Sequence, residues 1–190
     1  IFRLPIDRVF VMKGFGTVIT GTLVSGTVRK EEEVEAYPSG RRLRVRGIQV
    51  HNAPAEQAVA GQRTALNLAG VSTEELARGM TLAPPGIFHP TRRADVSLTL
   101  LRGARPLRDR ARVHLHAFTA ETIAEVVLYG VAEAPRDSAA ERGGGGLGSP
   151  ETAGGPILKP GQTAFAQLRL SSPCCCCPAT ASSSASFHPW

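Results

Sequence analysis

Three groups of residues have types and spacings that could do chemistry. Gly14-x-Gly16 could cradle a phosphate, because glycines let backbone N–H groups approach an anion closely. A dinucleotide fingerprint also needs a third glycine three residues after the second and a helix opening there. Position 19 is Ile, and Thr17-Val18-Ile19-Thr20 favours a strand. No Gly-Lys-Ser/Thr follows, so the P-loop is excluded as well, and a hairpin turn is the expectation. His114-x-His116 could grip a metal, since alternate residues share one face of a strand. No Asp, Glu or Cys converges on the pair within that strand, so packing is expected there and no metal. Cys174 to Cys177 are consecutive, which gives neither the spread of a disulfide framework nor the two separated Cys-x-x-Cys pairs of a structural zinc site. His51-Asn52 ends a strand at a turn, where capping and partner contact are equally open. There is no Gly-x-Ser-x-Gly elbow, no His-Glu-x-x-His and no evident carboxylate pair, so no catalytic residue is expected.

The elements that must position these residues are strands. Candidates lie at 2–12, 17–28, 32–37, 42–51, 62–68 and near 80–83, separated by Ser25-Gly26, Pro38-Ser39-Gly40, Asn52-Ala53-Pro54 and Ala60-Gly61. Leu43 and Val45 alternate with Arg42, Arg44 and Arg46, the period of a half-buried strand. Many short strands at this spacing imply a barrel or sandwich. One short helix is expected at 73–78, capped by Ser72 with Glu75 completing a capping box and Gly79 ending it. Pro84-Pro85-Gly86 to Pro90 reads as a linker. Alternation then resumes at 94–100, 111–117, 122–129 and 163–170, and 133–161 is a long loop rich in Gly, Pro, Ala and charge.

The chain has 190 residues and a net charge of +6, enough for one or two domains and compatible with a nucleic-acid partner. Lys occurs only at 13, 30 and 159, so the remaining basic residues are Arg, which suits bidentate contact with phosphate or carboxylate. The same Arg-rich, Lys-poor usage follows from a GC-rich genome. No apolar run approaches the length of a membrane span, and no signal peptide is evident. A chain opening on Ile1 leads us to expect further sequence upstream, and a cytoplasmic location is expected.

Lys13-Gly14-Phe15-Gly16-Thr17-Val18-Ile19-Thr20-Gly21 resembles the signature of the second domain of translational GTPases, and Ala77-Arg78-Gly79-Met80 resembles its closing Arg-Gly. Lys13, Thr22, Ile6-Asp7-Arg8 and Ala60-Gly61-Gln62-Arg63-Thr64-Ala65-Leu66-Asn67-Leu68-Ala69-Gly70 bring the match nearest to the selenocysteine-specific elongation factors, the SelB family. Residues 93–173 resemble the third domain more loosely, through strand order and Leu158-Lys159-Pro160-Gly161-Gln162. The resemblance implies an all-β fold of two consecutive translation-factor-type barrels, at 1–86 and 87–173, the second incomplete. It implies selenocysteinyl-tRNA and the ribosome as partners, together with a GTPase domain outside this chain that holds GTP and Mg. This chain is then no enzyme by itself and carries no cofactor. By residue-to-residue match, Asp7, Arg8 and Arg63 fall where the family binds the selenocysteinyl end. Read without the family, Asp7 and Arg8 are ordinary exposed strand residues.

Residues 174–190 lack alternation and charge, and we expect an out-of-frame or disordered tail. One permitted back-translation, read one base earlier, gives Leu-Leu-Leu-Leu-Pro-Gly-Asp-Arg-Phe, similar to the next segment of the family's third domain. A fragment of a general elongation or initiation factor and a non-functional truncated product are the alternatives.

Overall fold

The structure, a computed structural model, describes residues 1–132, 155–174 and 186–189. The first half holds β1 (Leu4–Met12), β2 (Gly16–Thr22), β3 (Thr27–Arg29), β4 (Glu33–Tyr37), β5 (Arg41–Val50), β6 (Ala53–Ala55), β7 (Gln57–Val59), β8 (Arg63–Ala69) and β9 (Thr81–Ala83). Hydrogen-bonded neighbours run β4-β9-β1-β2-β8-β5, and β5 pairs back onto β4, so these six strands close a barrel. Closure removes the sheet edges that would otherwise invite other chains. Alternation dictates what lies inside. In β8, Thr64, Leu66 and Leu68 are buried while Arg63 is exposed. With Phe2, Leu4, Ile6, Ile19, Val34, Val45 and Leu82 they form a core with almost no solvent contact. Each such large side chain contributes about 1.5–3 kcal/mol.

One turn recurs at three places where the chain reverses. In Val59-Ala60-Gly61-Gln62 the Gln62 N–H donates to Val59 O, and Val59 N–H donates to Gln62 Oε1 at 2.8 Å. Lys159-Pro160-Gly161-Gln162 repeats this, with Lys159 N–H to Gln162 Oε1 at 2.9 Å, and so does Arg29-Lys30-Glu31-Glu32, with Arg29 N–H to Glu32 Oε2 at 2.8 Å. The third residue has φ of +89°, +81° and +67° respectively, the left-handed region that favours Gly at two of the three sites. The fourth residue must carry a carbonyl or carboxylate long enough to reach back.

Two sequence expectations change. The run 17–28 divides, because β2 ends at Thr22 and Thr27–Arg29 leaves to pair with β7. The helix expected at 73–78 is a single 3-10 turn, Thr73–Glu75. Glu75 does hold the Ser72 N–H, at 2.9 Å. Leu76 is nonetheless extended and buried, and the chain beyond it is drawn onto β1, so tertiary pairing overrides the cap. The segment after β9 is pinned. Tyr37 Oη donates to Pro84 O at 3.1 Å and accepts from Ile87 N–H at 3.2 Å. Phe88 packs edge-on against the Tyr37 ring, under the Arg3 guanidinium.

The second half holds β10 (Thr91–Thr99), β11 (Leu107–Arg108), β12 (Ala111–Ala117), β13 (Ala120–Ala132), β14 (Ile157–Leu158), β15 (Thr163–Cys174) and β16 (Ser186–Pro189). The order β10-β15-β13-β12-β16 does not close among the described residues, which is consistent with an incomplete second barrel. Its core is Leu, Val and Ala, including Leu98, Val113, Leu115, Val126, Leu158 and Leu168. β16 pairs antiparallel with β12, a strand that the tail's composition does not signal, since backbone pairing needs no alternation. The rest of the tail expectation, at 175–185 and 190, and residues 133–154 of the expected loop 133–161 lie outside the described residues, while Ile157–Leu158 within that loop is a strand held by pairing with β11.

Candidate functional site

β1 meets β2 with Ile6 opposite Gly21 and Arg8 opposite Thr20, so Asp7 is one residue too many and forms a bulge. A bulge bends its strand and re-aims the side chains beside it. Two features hold it. Gly21 lets the strands approach so closely that a Cβ there would collide with the Pro5 carbonyl oxygen and lie 3.4 Å from Leu4 Cδ1. On the other side, Ile6 N–H donates to Met80 O at 2.8 Å and Gly79 N–H donates to Ile6 O at 3.0 Å. Gly79 has φ +91°, so the turn carries Arg78 alongside Asp7. From across β2, Arg63 opens β8 opposite Thr22.

The result is a carboxylate held between two guanidiniums. Arg63 Nη2 donates to Asp7 Oδ2 at 2.6 Å, and Arg78 Nη1 donates to Oδ1 at 3.0 Å. The Asp7 side chain is 19% exposed, against 51% for Arg63 and 68% for Arg78. The Arg63 hydrogen bond is the main reason that the Asp7 carboxyl titrates below its ordinary value. Desolvation opposes that shift, and the charges of Arg63, Arg78 and Arg8 reinforce it. Asp7 is therefore a poor general base and a firm anchor. Arg8 is exposed and makes no ion pair among the described residues. With three guanidiniums and one carboxylate, the cluster is net cationic, and each Arg keeps N–H groups to spare.

Of the three residues expected at the site, Asp7 and Arg63 are bonded to one another, while Arg8 joins them by charge alone. Arg78 was not among the expected site residues. The Arg-Gly dipeptide was the available signal, but its place beside Asp7 depends on the pairing of Gly79 with Ile6. Thr20, opposite Arg8, has its Oγ1 shielded from solvent with no hydrogen-bond partner among the described residues. Ile19 and Gly21 face inward, so Thr20 lies on the outer surface beside Arg8. Its hydroxyl keeps unused hydrogen-bonding capacity next to the cationic cluster. Asn52 and His51 are both left-handed, at φ +66° and +50°, which makes them the turn between β5 and β6.

The described residues form a closed six-stranded barrel with a cationic outer cluster, followed by a second β-sheet, and contain no α/β nucleotide-binding unit. Residues 16–83 match the model of elongation factor Tu domain 2. A selenocysteine-specific elongation factor from Desulfomicrobium baculatum is 42% identical over 174 residues, 91% of this chain and 24% of that protein. One from Haemophilus influenzae is 38% identical over 128 residues, 67% of this chain and 20% of that protein. Elongation factor Tu 2 of Streptomyces avermitilis is 33% identical over 132 residues, 67% of this chain and 34% of that protein. The chain thus spans about a quarter of the length of the first relative. It belongs to the SelB/EF-Tu family of translational GTPases as a domain II with part of a domain III. No helix among the described residues is long and apolar enough to cross a membrane.

Proposed function

We propose that this chain is the tRNA-binding part of a selenocysteine-specific elongation factor, with Asp7, Arg8 and Arg63 receiving the selenocysteinyl end of the charged tRNA for delivery to the ribosome. The observation that carries this reading is the Asp7–Arg63 pair at 2.6 Å within a net-cationic cluster. A selenol is more acidic than a thiol and largely ionised at neutral pH, whereas the serine hydroxyl is neutral. Permanently charged guanidiniums favour the selenolate and gain nothing comparable from serine. Asp7 fixes the guanidiniums in place so that they need not be ordered when the ligand arrives. GTP and Mg belong, on this reading, to a separate GTPase domain of the same protein.

The test compares one tRNA charged with selenocysteine or with serine, measured against this chain and its Arg63→Ala variant. One charge-assisted hydrogen bond is worth roughly ten- to a hundredfold in affinity. We expect Arg63→Ala to lower selenocysteinyl-tRNA binding by that factor and seryl-tRNA binding far less. Equal losses for the two charged tRNAs overturn the assignment and favour a general elongation factor's amino-acid-indifferent site.

A further inference from the structure

We propose that His114, His116 and Glu121 form a binding site for a zinc-like transition-metal dication, away from the Asp7 cluster. Val113 and Leu115 point into the second core, so His114 and His116 occupy the opposite face of β12. Glu121 on β13 lies directly opposite His116 in the register, which puts it on that same face. His114 is one step along, diagonal to Glu121. The separation in the sequence hides this, because the tight turn after Ala117 folds the carboxylate back over the His pair.

The geometry suits a metal. His114 Nδ1 and Glu121 Oε1 are 2.8 Å apart, and one ligand atom from each of the three residues lies within 4.8 Å of the others. The two imidazoles are nearly parallel, at 19°, with centroids 6.3 Å apart. Tetrahedral zinc with bonds of about 2.0–2.1 Å places its ligand atoms roughly 3.3–3.5 Å apart. The His114–Glu121 contact therefore opens slightly while His116 closes in, and side-chain rotation alone achieves both. Binding exchanges the present partners of the imidazoles for the metal. Two imidazoles with one carboxylate select Zn, Co, Ni or Cu over Mg and Ca, which prefer all-oxygen sets. The His114 side chain is 26% exposed and Glu121 57%, so ions can enter and a fourth position stays open to water. The backbone beneath is held on both sides, since β12 pairs with β13 and with β16.

The site has a structural reach. It staples the end of the β12–β13 hairpin, whose turn abuts the first barrel. A Cβ on Gly79 would lie 3.1 Å from Ala120 Cα, and Gly79 follows Arg78. Metal at the hairpin would stiffen the support behind that segment.

Thiols take up the same metals, so the test uses the full chain carrying Cys174→Ser, Cys175→Ser, Cys176→Ser and Cys177→Ser. Metal-stripped protein is titrated with Co2+ and followed by its visible d–d absorption. We expect one equivalent bound, displaced by Zn2+, and a rise in thermal midpoint on adding Zn2+. His116→Ala and Glu121→Gln should each weaken Co2+ binding at least about tenfold and remove the thermal rise. Far-UV circular dichroism, and a control His89→Ala that leaves binding unchanged, separate lost ligation from lost folding. Two results overturn the proposal. One is Co2+ binding that survives the pair His114→Ala, His116→Ala; the other is Co2+ binding that appears only when the cysteines are present.

Discussion

Gly21→Ala tests whether the Asp7 bulge is imposed by the close approach of β1 and β2. The added methyl meets backbone, not a movable side chain: the Pro5 carbonyl oxygen is inside contact and its carbon is 3.3 Å away. Gly21 is also buried and paired with Thr64 of β8, so it cannot back away from β1. The strain is relieved only by parting β1 from β2, and overpacking of this kind costs about 1–3 kcal/mol, occasionally more. Parting the strands also loosens the Ile6 bonds to Gly79 and Met80, each worth about 1 kcal/mol. We expect a loss near 3 kcal/mol, which in a barrel of this size lowers the thermal midpoint by roughly 12–24 °C. Gly47→Ala is the control. It lies in β5 at an ordinary φ, and its Cβ would meet only Asn67 Cβ at 3.8 Å. That change should be neutral to stabilising, by up to about 1 kcal/mol, because less chain entropy is lost on folding. Urea unfolding followed by far-UV circular dichroism compares the two. If Gly21→Ala is no less stable than Gly47→Ala, close strand approach does not hold the bulge.

Asp7→Asn should destabilise the barrel at neutral pH, with the difference shrinking in acid. The Asp7 carboxyl titrates below its ordinary value, so its contribution is complete above the unfolded value of about 4 and is lost as pH falls through the lower folded value. Urea midpoints of both proteins from pH 7 down to 2 measure this, and a constant difference across that range contradicts it. Tyr37→Phe removes the hydroxyl that bridges Pro84 O and Ile87 N–H and should cost about 1–2 kcal/mol. Its signature is faster amide hydrogen exchange at Ile87, and unchanged exchange there would mean that Phe88 packing alone pins the segment.

Alternation made most of the strands legible, because a strand with one face in a core must repeat every second residue. It located β5 through Leu43 and Val45, and β12 through Val113 and Leu115. It missed Ala53–Ala55 and Gln57–Val59, where three-residue strands of Ala, Pro and Gln have no room to show a period. The pairing of Asp7 with Arg63 could be anticipated only through family likeness. Asp7 and Arg63 are 56 positions apart, and no local pattern joins them. Arg78 and Glu121 show why the remainder stayed hidden. Each lies within a few residues of a motif noticed in the sequence, but its role depends on strand register. Gly79 pairing with Ile6 brings Arg78 to Asp7, and the β12–β13 register brings Glu121 to the histidines.

The same dependence explains why Asp7 stands at the centre of a site meant, on the proposed function, for an anion. Bare guanidiniums brought this close would repel one another and swing freely. One carboxylate between Arg63 and Arg78 gives each oxygen its own donor and fixes both side chains, and the cluster still keeps an excess of positive charge. An incoming selenolate reduces that excess, while a neutral serine leaves it unchanged. Arg78 then shares the load with Arg63, so losing either one alone should leave residual selectivity. Losing both together frees the Asp7 carboxylate to repel the anion, and the preference should vanish. The double change Arg63→Ala, Arg78→Ala therefore ought to cost more selectivity than the two single changes combined, the signature of residues acting through one shared partner.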